Sequence, residues 1–435
     1  MLCGFNDVFE VDHMSTFLQE LARHRVDAHH KGIYSVCSAH PYVLEAAMRH
    51  HLSSSGPLLI EATCNQVNQS GGYTGMKPGD FRDLVHGVAS RAGFPVGRIL
   101  LGGDHLGPFP WQHLPVSRAM ANAQEMVSLF VREGFCKIHL DASMACADDP
   151  HPLPDEIIAE RAADLCAAAE RTPHTGALAY VIGTEVPTPG GAVDELQVSV
   201  TAAEAAERAL QLHREAFSRL GLNRAWDQVI ALVVQPGVEF THEAVKDYEP
   251  AKAVQLATLL DQYPGLVFEA HSTDYQRPEG LAALVRDGFV VLKVGPALTY
   301  AMRQALFALA AIEAKCVPAF QRSRLPDRVE EVMLEYPEHW RKHYSGTPEE
   351  QHRLRIHSYS DRIRYYWAYP QVQKSVETLI SNLSQLAIPE TLLSDYFPAQ
   401  YVKRRAGELV AKPLALILDV IGNALAPYLA ACEVR

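Results

Sequence analysis

The sharpest chemical signal in this sequence is an adjacent acid and imidazole, Asp104 and His105. They lie in segment 100–107, LLGGDHLG, in which the glycines permit a substrate to approach the backbone closely. A carboxylate in such a place can act as a general base, and the imidazole beside it can bind a metal ion. Both roles require partners from other parts of the chain.

The partners that we predict are His271, which ends segment 266–271, and Glu185, which follows segment 179–184 and is a candidate both for catalysis and for the metal. Two imidazoles and a carboxylate that leave one coordination position open are typical of catalytic zinc. The alternative is that each histidine only makes a hydrogen bond inside the core. The placement of both histidines at the ends of apolar segments favours the metal site.

Two further ionisable residues have competing interpretations. Lys293, in the sequence LKVG, could form a Schiff base with a ketose carbonyl if it were desolvated in a barrel interior. It could equally form an ion pair or contact a phosphate group. Asp141 could bind the metal or support its ligands, or it could brace a loop or cap a helix.

Several polar residues are candidates for binding a sugar phosphate. Segment 65–75 is rich in amides, and its Asn65 and Gln69 could bind sugar hydroxyl groups, although an ordinary loop explains the composition equally well. Segment 360–367 combines cations with aromatic rings and could bind a phosphate, or form a solvated or subunit-interface helix. The predicted substrate-binding residues are His40, Glu61, Asn65, Gln69, Asp141, Lys293, Arg362 and Arg364. Segment 187–191, rich in proline and glycine, could be a lid.

These residues need a scaffold that brings them together, and the pattern of the chain predicts one. Short apolar segments alternate with stretches rich in Ala, Glu, Arg and Leu, as strands alternate with helices. The predicted strands are 32–38, 58–63, 98–104, 137–142, 179–184, 229–235, 266–271 and 289–295. Eight such units predict a (β/α)₈ TIM barrel, whose strands all end at one catalytic mouth. A doubly wound sheet is the competitor, but no Gly-rich nucleotide loop follows an early strand.

The pattern changes after residue 299, first to a long helical stretch and then to a region rich in Arg, Tyr and Trp. We therefore predict a barrel over residues 1–319 and a helical C-terminal extension over 320–435 that packs on the barrel. The apolar segment 414–432 is interrupted by Asp419, Asn423 and Pro427, which favours a docked helix over a bilayer span.

The net charge of the chain argues against two classes of binding partner. The 435 residues carry a formal net charge of −12, which disfavours binding to nucleic acid and to anionic membranes. The first residues show no basic region before an apolar run, so we expect a cytoplasmic protein rather than a secreted one. The 8 cysteines are scattered and include no Cys-x-x-Cys pair, a pattern typical of reduced thiols.

The chain resembles the Z-type subunit family of D-tagatose-1,6-bisphosphate aldolase, which is related to the class II aldolases. The resemblance spans nearly the whole chain and rests on ten ordered motifs. They are SVCSAHP at 35–41, IEAT at 60–63, NQVNQ at 65–69, GGDHLGP at 102–108, KIHLDAS at 137–143, VIGTEVP at 181–187, VVQPGVEF at 233–240, EAHSTDY at 269–275, KVGPALT at 293–299 and SDRIRYYW at 360–367.

The resemblance implies a metal site of the class II type. In the catalytic class II subunits an Asp-His pair supplies the base and one ligand, and two more histidines complete the site. Asp104, His105 and His271 look like three of these positions. The sixth predicted strand ends in Gln235 rather than a histidine, so Gln235 or Glu185 is expected to replace the missing ligand of a divalent metal, predicted to be Zn²⁺.

The resemblance also implies three functions between which the sequence does not decide. The first is a subunit that supports or carries retro-aldol cleavage of tagatose 1,6-bisphosphate in galactitol or N-acetylgalactosamine breakdown, together with a catalytic Y-type subunit. The second is a self-sufficient tagatose-6-phosphate 4-epimerase, and the third is a purely stabilising partner with a vestigial pocket. A homo-oligomer is expected. Kinase activity ranks last because the sequence has no phosphate-cradling nucleotide loop.

Overall fold

The computed structural model describes residues 16–23, 31–185 and 198–433 of the chain. The segment predicted to be a lid, 187–191, lies outside these residues. Within them, eight parallel strands form a closed barrel, so the predicted (β/α)₈ TIM barrel is confirmed. The barrel order is β1-β10-β9-β6-β5-β4-β3-β2, in which β7 and β8 are absent because they pair only with each other.

Each of the eight predicted strands corresponds to one barrel strand, with ends that differ by a few residues. Buried apolar residues dominate these strands because both the barrel interior and the surrounding helices exclude water from them. The barrel strands are β1 Ile33–Val36, β2 Leu58–Thr63, β3 Ile99–Leu106, β4 Lys137–Leu140, β5 Ala179–Ile182, β6 Val229–Val233, β9 Val267–Ala270 and β10 Phe289–Val294. The short pair is β7 Glu239–Phe240 and β8 Val245–Lys246.

Helices surround the barrel and cover its outer face. Helical residues 16–23 (α1) precede β1. The helices that follow the strands are α2 Pro41–His51, α3 Pro78–Ala92, α4 Val116–Arg132, α5 Asp155–Glu170, α6 Ala203–Arg219, α7 Asn223–Trp226, α8 Pro250–Leu259, α9 Pro278–Arg286 and α10 Pro296–Cys316. Several begin with proline in the first turn, where a missing N–H costs no intrahelical hydrogen bond.

The C-terminal region is helical, as expected. It contains α11 Leu325–Glu335, α12 Pro348–His357, α13 Pro370–Ser384, α14 Glu390–Tyr396, α15 Pro398–Arg405 and α16 Pro413–Cys432. Between α12 and α13 a short 3-10 helix, Arg362–Tyr365, reaches the mouth of the barrel. The boundary predicted at residue 320 stays a prediction.

The last helix, α16, is part of the barrel wall rather than an appendage. It packs against α2, which follows the first strand, and against α9 and α10, which follow the last two barrel strands. The Tyr428 hydroxyl donates a hydrogen bond to the Thr273 carbonyl oxygen, and the Gly32 amide donates to the Cys432 carbonyl oxygen. This helix therefore lies between α9 and α2, where it closes the ring of outer helices.

Among the described residues, one helix, α16, has the length and the apolar composition needed to cross a membrane. Half of its apolar window is buried inside the protein, as in the core helix of many globular proteins. The seven cysteines within the described residues are free thiols.

A buried histidine in α6 leads to a prediction about acid stability. His213 is fully buried, its Nδ1 contacts the Ala209 carbonyl oxygen, and burial lowers its pKa to about 4. The unfolded chain binds a proton on this side chain below about pH 6.5, whereas the folded chain does not until about pH 4. Folding stability should therefore fall as the pH drops from 6.5 towards 4, by about 2 kcal/mol at pH 5 from this residue.

The variant His213→Leu should remove this part of the pH dependence. We expect its free energy of unfolding, measured by urea denaturation, to decrease less than that of the wild type between pH 7.5 and pH 5. His113→Leu is the matched control, because His113 is exposed and should leave the pH dependence unchanged. An identical pH dependence in His213→Leu and the wild type would contradict the prediction.

Candidate metal and substrate site

The barrel interior carries ionisable side chains at alternate positions of its strands. Residues two apart in a strand point to the same face, which places Lys137 and His139 of β4 together. The same spacing relates Glu269 of β9 to His271, which follows that strand. These inward residues form two layers, one of ion pairs and one of imidazoles nearer the mouth.

The lower layer is a fully buried ion-pair network. Lys137 Nζ lies 2.7 Å from Glu61 Oε1 and 2.7 Å from Glu269 Oε2. Lys293 Nζ also pairs with Glu61, and it lies 2.9 Å from Asp104 Oδ1. Burial opposes ionisation of Glu269, but Lys137, Lys293 and a hydrogen bond from His271 hold its pKa well below the ordinary value. The network therefore keeps Glu269 ionised.

The same network determines the protonation state of Lys293. Burial alone would lower its pKa, but the carboxylates of Asp104, Glu269 and Glu61, together with Cys37, raise it well above the ordinary value. A protonated ammonium has no lone pair with which to attack a carbonyl. The ion-pair interpretation of Lys293 is therefore favoured over the Schiff-base one.

Three imidazoles form the upper layer. The ring centroids of His105 and His271 are 4.8 Å apart, those of His105 and His139 are 5.1 Å apart, and those of His139 and His271 are 5.3 Å apart. Residues separated by up to 166 positions in the chain therefore meet at one mouth, because parallel barrel strands all end there.

A carboxylate lies within hydrogen-bonding distance of one nitrogen of each ring. His139 Nδ1 is 2.9 Å from Asp104 Oδ1, His271 Nε2 is 2.9 Å from Glu269 Oε1, and His105 Nδ1 is 2.7 Å from Asp141 Oδ2. Such carboxylate partners set the tautomer and orientation of metal-binding histidines. Burial opposes ionisation of Asp141, but His105 holds its pKa well below the ordinary value.

The described residues fit a divalent metal. Asp104, His139, Glu269 and His271 each offer a ligand atom, and these four atoms lie within 4.8 Å of one another. His139 Nε2 is buried and has no hydrogen-bond partner, so it is the kind of group that a bound ion would satisfy. Imidazole and carboxylate ligands suit zinc and related divalent metals. The possible metal cluster is therefore these four residues.

The backbone around the cluster is held in an uncommon conformation. His105 and Ser272 have φ angles of 51° and 53°, in the left-handed region that few residues other than glycine adopt. Gly107 lies so close to β4 that a Cβ atom there would be 1.5 Å from the Asp141 carbonyl oxygen. This close approach requires glycine and brings the loop after β3 against Asp141, the partner of His105.

Of the four predicted ligands, His271 belongs to the cluster, His105 lies beside it, and Glu185 and Gln235 are placed elsewhere. Glu185 is exposed and its Oε2 accepts a hydrogen bond from the Thr201 hydroxyl, at 2.6 Å. Gln235 Oε1 accepts from the Gly237 amide at 2.8 Å. Neither belongs to the cluster among the described residues, because both side chains brace loops. Their predicted roles as ligands, and that of Glu185 in catalysis, gain no support from this arrangement.

The predicted substrate-binding residues also separate into groups. Asn65, Lys293 and Arg364 line the cavity above the cluster, and His40 lines a neighbouring one. Glu61 lies beneath the cluster with both oxygens against lysines. Two others make contacts away from the cavity. Gln69 donates to the Asn122 carbonyl oxygen, and Arg362 donates to that of His339.

His139, Glu269 and Lys137 are absent from the residues predicted from the sequence. His139 stands in the motif KIHLDAS, two residues before Asp141, and Glu269 stands two residues before His271. Polar residues at alternate positions of an apolar strand are the signal that identifies them.

The comparisons with known proteins agree with this fold. Residues 18–433 match the family model described as "D-tagatose-1,6-bisphosphate aldolase subunit GatZ/KbaZ-like". A crystal structure of a probable tagatose 6 phosphate kinase from Sinorhizobium meliloti 1021 is 49% identical, with a TM-score of 0.86 over 92% of this chain and 100% of that one.

Two aldolase structures are much more distant. The YdjI aldolase from Escherichia coli K12 is 10% identical, with a TM-score of 0.41 over 82% of this chain and 95% of that one. A fructose-bisphosphate aldolase from Campylobacter jejuni is 13% identical, with a TM-score of 0.42 over 86% and 92%. These two likenesses are too weak to inform the site.

Proposed function

Because the chain belongs to the D-tagatose-1,6-bisphosphate aldolase subunit GatZ/KbaZ-like family, we propose that it takes part in metal-dependent aldol cleavage of tagatose phosphates. The observation that supports this proposal most is the buried cluster of Asp104, His139, Glu269 and His271 at the barrel mouth. A site for cleaving a ketose needs an electrophile at the carbonyl and a base at the hydroxyl of the bond to be broken.

Different residues would hold the electrophile and act as the base. A divalent metal held by His139, Glu269 and His271, with His105 as a further candidate ligand, would supply a Lewis acid for the ketose carbonyl. Asp104 is the proposed base for the C4 hydroxyl proton. Its Oδ1 is held by His139 and Lys293, whereas its Oδ2 makes only longer contacts, 3.8 Å to His105 Nε2 and 3.9 Å to Cys37 Sγ.

The neighbouring charges prepare Asp104 for this role. Burial disfavours the carboxylate, but His105, Lys293 and the hydrogen bond with His139 hold the pKa of Asp104 well below its ordinary value. It is therefore ionised at neutral pH, the form that can accept a proton, although the same charges make it a weaker base. Burial alone would lower the pKa of His105, but Asp104 and Asp141 raise it.

A second candidate function, 4-epimerisation of tagatose 6-phosphate, is favoured by the cover over the mouth. Arg364 and Tyr365 of the C-terminal region line the cavity above the cluster, and the Tyr365 ring contacts that of Tyr73 at 4.6 Å between centroids. A covered site retains the cleaved aldehyde, which can rotate and present its opposite face before the bond re-forms. Lyase and epimerase would then use the same residues and differ in product retention.

The experiment that separates these functions uses the purified chain with added Zn²⁺. Triose phosphates formed from tagatose 1,6-bisphosphate by the chain alone would identify a lyase, and fructose 6-phosphate formed from tagatose 6-phosphate would identify an epimerase. Activity that appears only after a catalytic Y-type subunit is added would identify a supporting subunit. No product from either sugar, and no effect on the Y-type subunit, would contradict the proposal, as would ATP-dependent consumption of tagatose 6-phosphate.

A further inference from the structure

A second cavity, about 520 Å³ in volume, adjoins the cavity above the metal cluster. Its own walls come from α2, α3, α10 and α13, and include His40, Trp367 and Val376. The two cavities are neighbours, separated only by side chains and backbone that both of them touch. The shared wall residues are Cys37, Gln66, Tyr73, Gly295, Pro296 and Arg364.

The volumes show that the cavity above the cluster is too small for a whole sugar phosphate. It measures about 90 Å³, whereas small-molecule sites in proteins usually measure roughly 300–1,000 Å³. The second cavity falls within that range. A substrate whose reacting carbons lie at the cluster must therefore extend past Arg364 into the second cavity.

The charges show which end of the substrate lies there. The cavity above the cluster is lined by the carboxylates of Asp104 and Asp274 as well as by Lys293. Among the described walls of the second cavity, Glu377 is the carboxylate and Arg364 the cation. Burial lowers the pKa of His40 to about 4, so this wall residue is neutral. In the metal-free protein, a phosphate group meets less repulsion on the second-cavity side of Arg364 than beside the cluster.

Arg364 is built into its place rather than free to swing away. Its Nη1 donates hydrogen bonds to the carbonyl oxygens of Ser360 and Asp361, and its Nη2 donates to the Tyr365 hydroxyl at 3.0 Å. The guanidinium also lies over the Tyr365 ring, 4.5 Å from its centroid. A cation held in this way binds an anion without the entropic cost of being ordered first.

We propose that the second cavity binds the phosphate-bearing end of the sugar that lies away from the bond being broken, with Arg364 as the phosphate-binding residue. The proposal rests on the function proposed above, since it concerns the same substrate. It assigns the C-terminal region a direct part in substrate selection, because Arg364, Trp367 and Val376 all come from that region.

The test measures binding by calorimetry to chelator-treated protein, so it does not depend on turnover. We expect the wild type to bind tagatose 6-phosphate about tenfold or more tightly than unphosphorylated D-tagatose. Arg364→Met should remove this preference, and Arg364→Lys should retain part of it. Inorganic phosphate should compete with tagatose 6-phosphate in the wild type and not in Arg364→Met.

A second variant tests the role of the second cavity and leaves Arg364 unchanged. Val376→Trp fills the second cavity and should weaken tagatose 6-phosphate binding by about tenfold or more. Val254→Trp is the control, because Val254 is 55% exposed on α8 and away from both cavities. Wild-type affinity in Val376→Trp, or equal affinity of the wild type for the sugar and its phosphate, would overturn the proposal. Selective binding without turnover would instead leave it standing while the proposed function failed.

Discussion

Replacing His139 with alanine is expected to weaken zinc binding by more than about 100-fold, beyond the effect typical of residues that only orient a ligand, and to abolish turnover of tagatose phosphates. The reason is that His139 is fully buried and its Nε2 has no hydrogen-bond partner within the described structure. Its Nδ1 is already engaged by Asp104. A buried imidazole arranged in this way offers its second nitrogen to an ion.

The measurement is zinc content after dialysis, together with product formation from both tagatose phosphates. His139→Gln keeps a similar side-chain volume but removes the imidazole, and it should also lose zinc. His113→Ala is the control, because it removes an exposed histidine and should retain metal and activity. If His139→Ala folds and keeps stoichiometric zinc, the cluster is not the metal site, and the proposed role of His139 is wrong.

Replacing Lys137 with methionine should destabilise the protein by about 3–5 kcal/mol, the cost of removing one partner from a buried ion pair. The substitution removes one of the two lysines that pair with Glu61 and Glu269 in the barrel interior and leaves Lys293 as the remaining cation. All three side chains are completely inaccessible to water. The midpoint of urea unfolding, followed by circular dichroism, measures the loss.

The structure offers a matched pair for this comparison. Lys252 lies 2.7 Å from Glu249, the same distance as Lys137 from Glu61, but its side chain is 60% exposed. Lys252→Met should therefore shift the midpoint little, since water screens exposed pairs. Adding Glu61→Gln to Lys137→Met should restore part of the stability, because it removes one of the carboxylates that would otherwise share the single remaining lysine, Lys293. Equal shifts for the two lysine variants would show that burial of the network does not matter.

The barrel was predictable because its signal is repeated eight times. Each strand is an apolar segment followed by helix-forming sequence, and small errors at the ends did not change the count. Asp104, His105 and His271 were also found, since they stand where the predicted strands end. The structure brings these three side chains together at one mouth.

The other ionisable residues of the site are harder to predict, because they do not stand at the carboxyl ends of strands. Lys137, His139 and Glu269 lie within strands, where a buried charge is costly unless another strand supplies its partner. Those partners are distant in sequence, as with Lys293 and Glu61, 232 positions apart. The sequence instead favours Glu185, which follows a predicted strand, and Gln235, which ends one. The sequence does not show that their side chains bond to nearby loops.

The position of α16 has a consequence for how the protein must be made. The ring of outer helices stays open between α9 and α2 until residues 413–432 arrive. This helix contacts β1 as well as α2, α9 and α10, so during synthesis these elements leave the ribosome before the segment that covers them. Deleting residues 413–432 would therefore expose apolar surface between α9 and α2 to water.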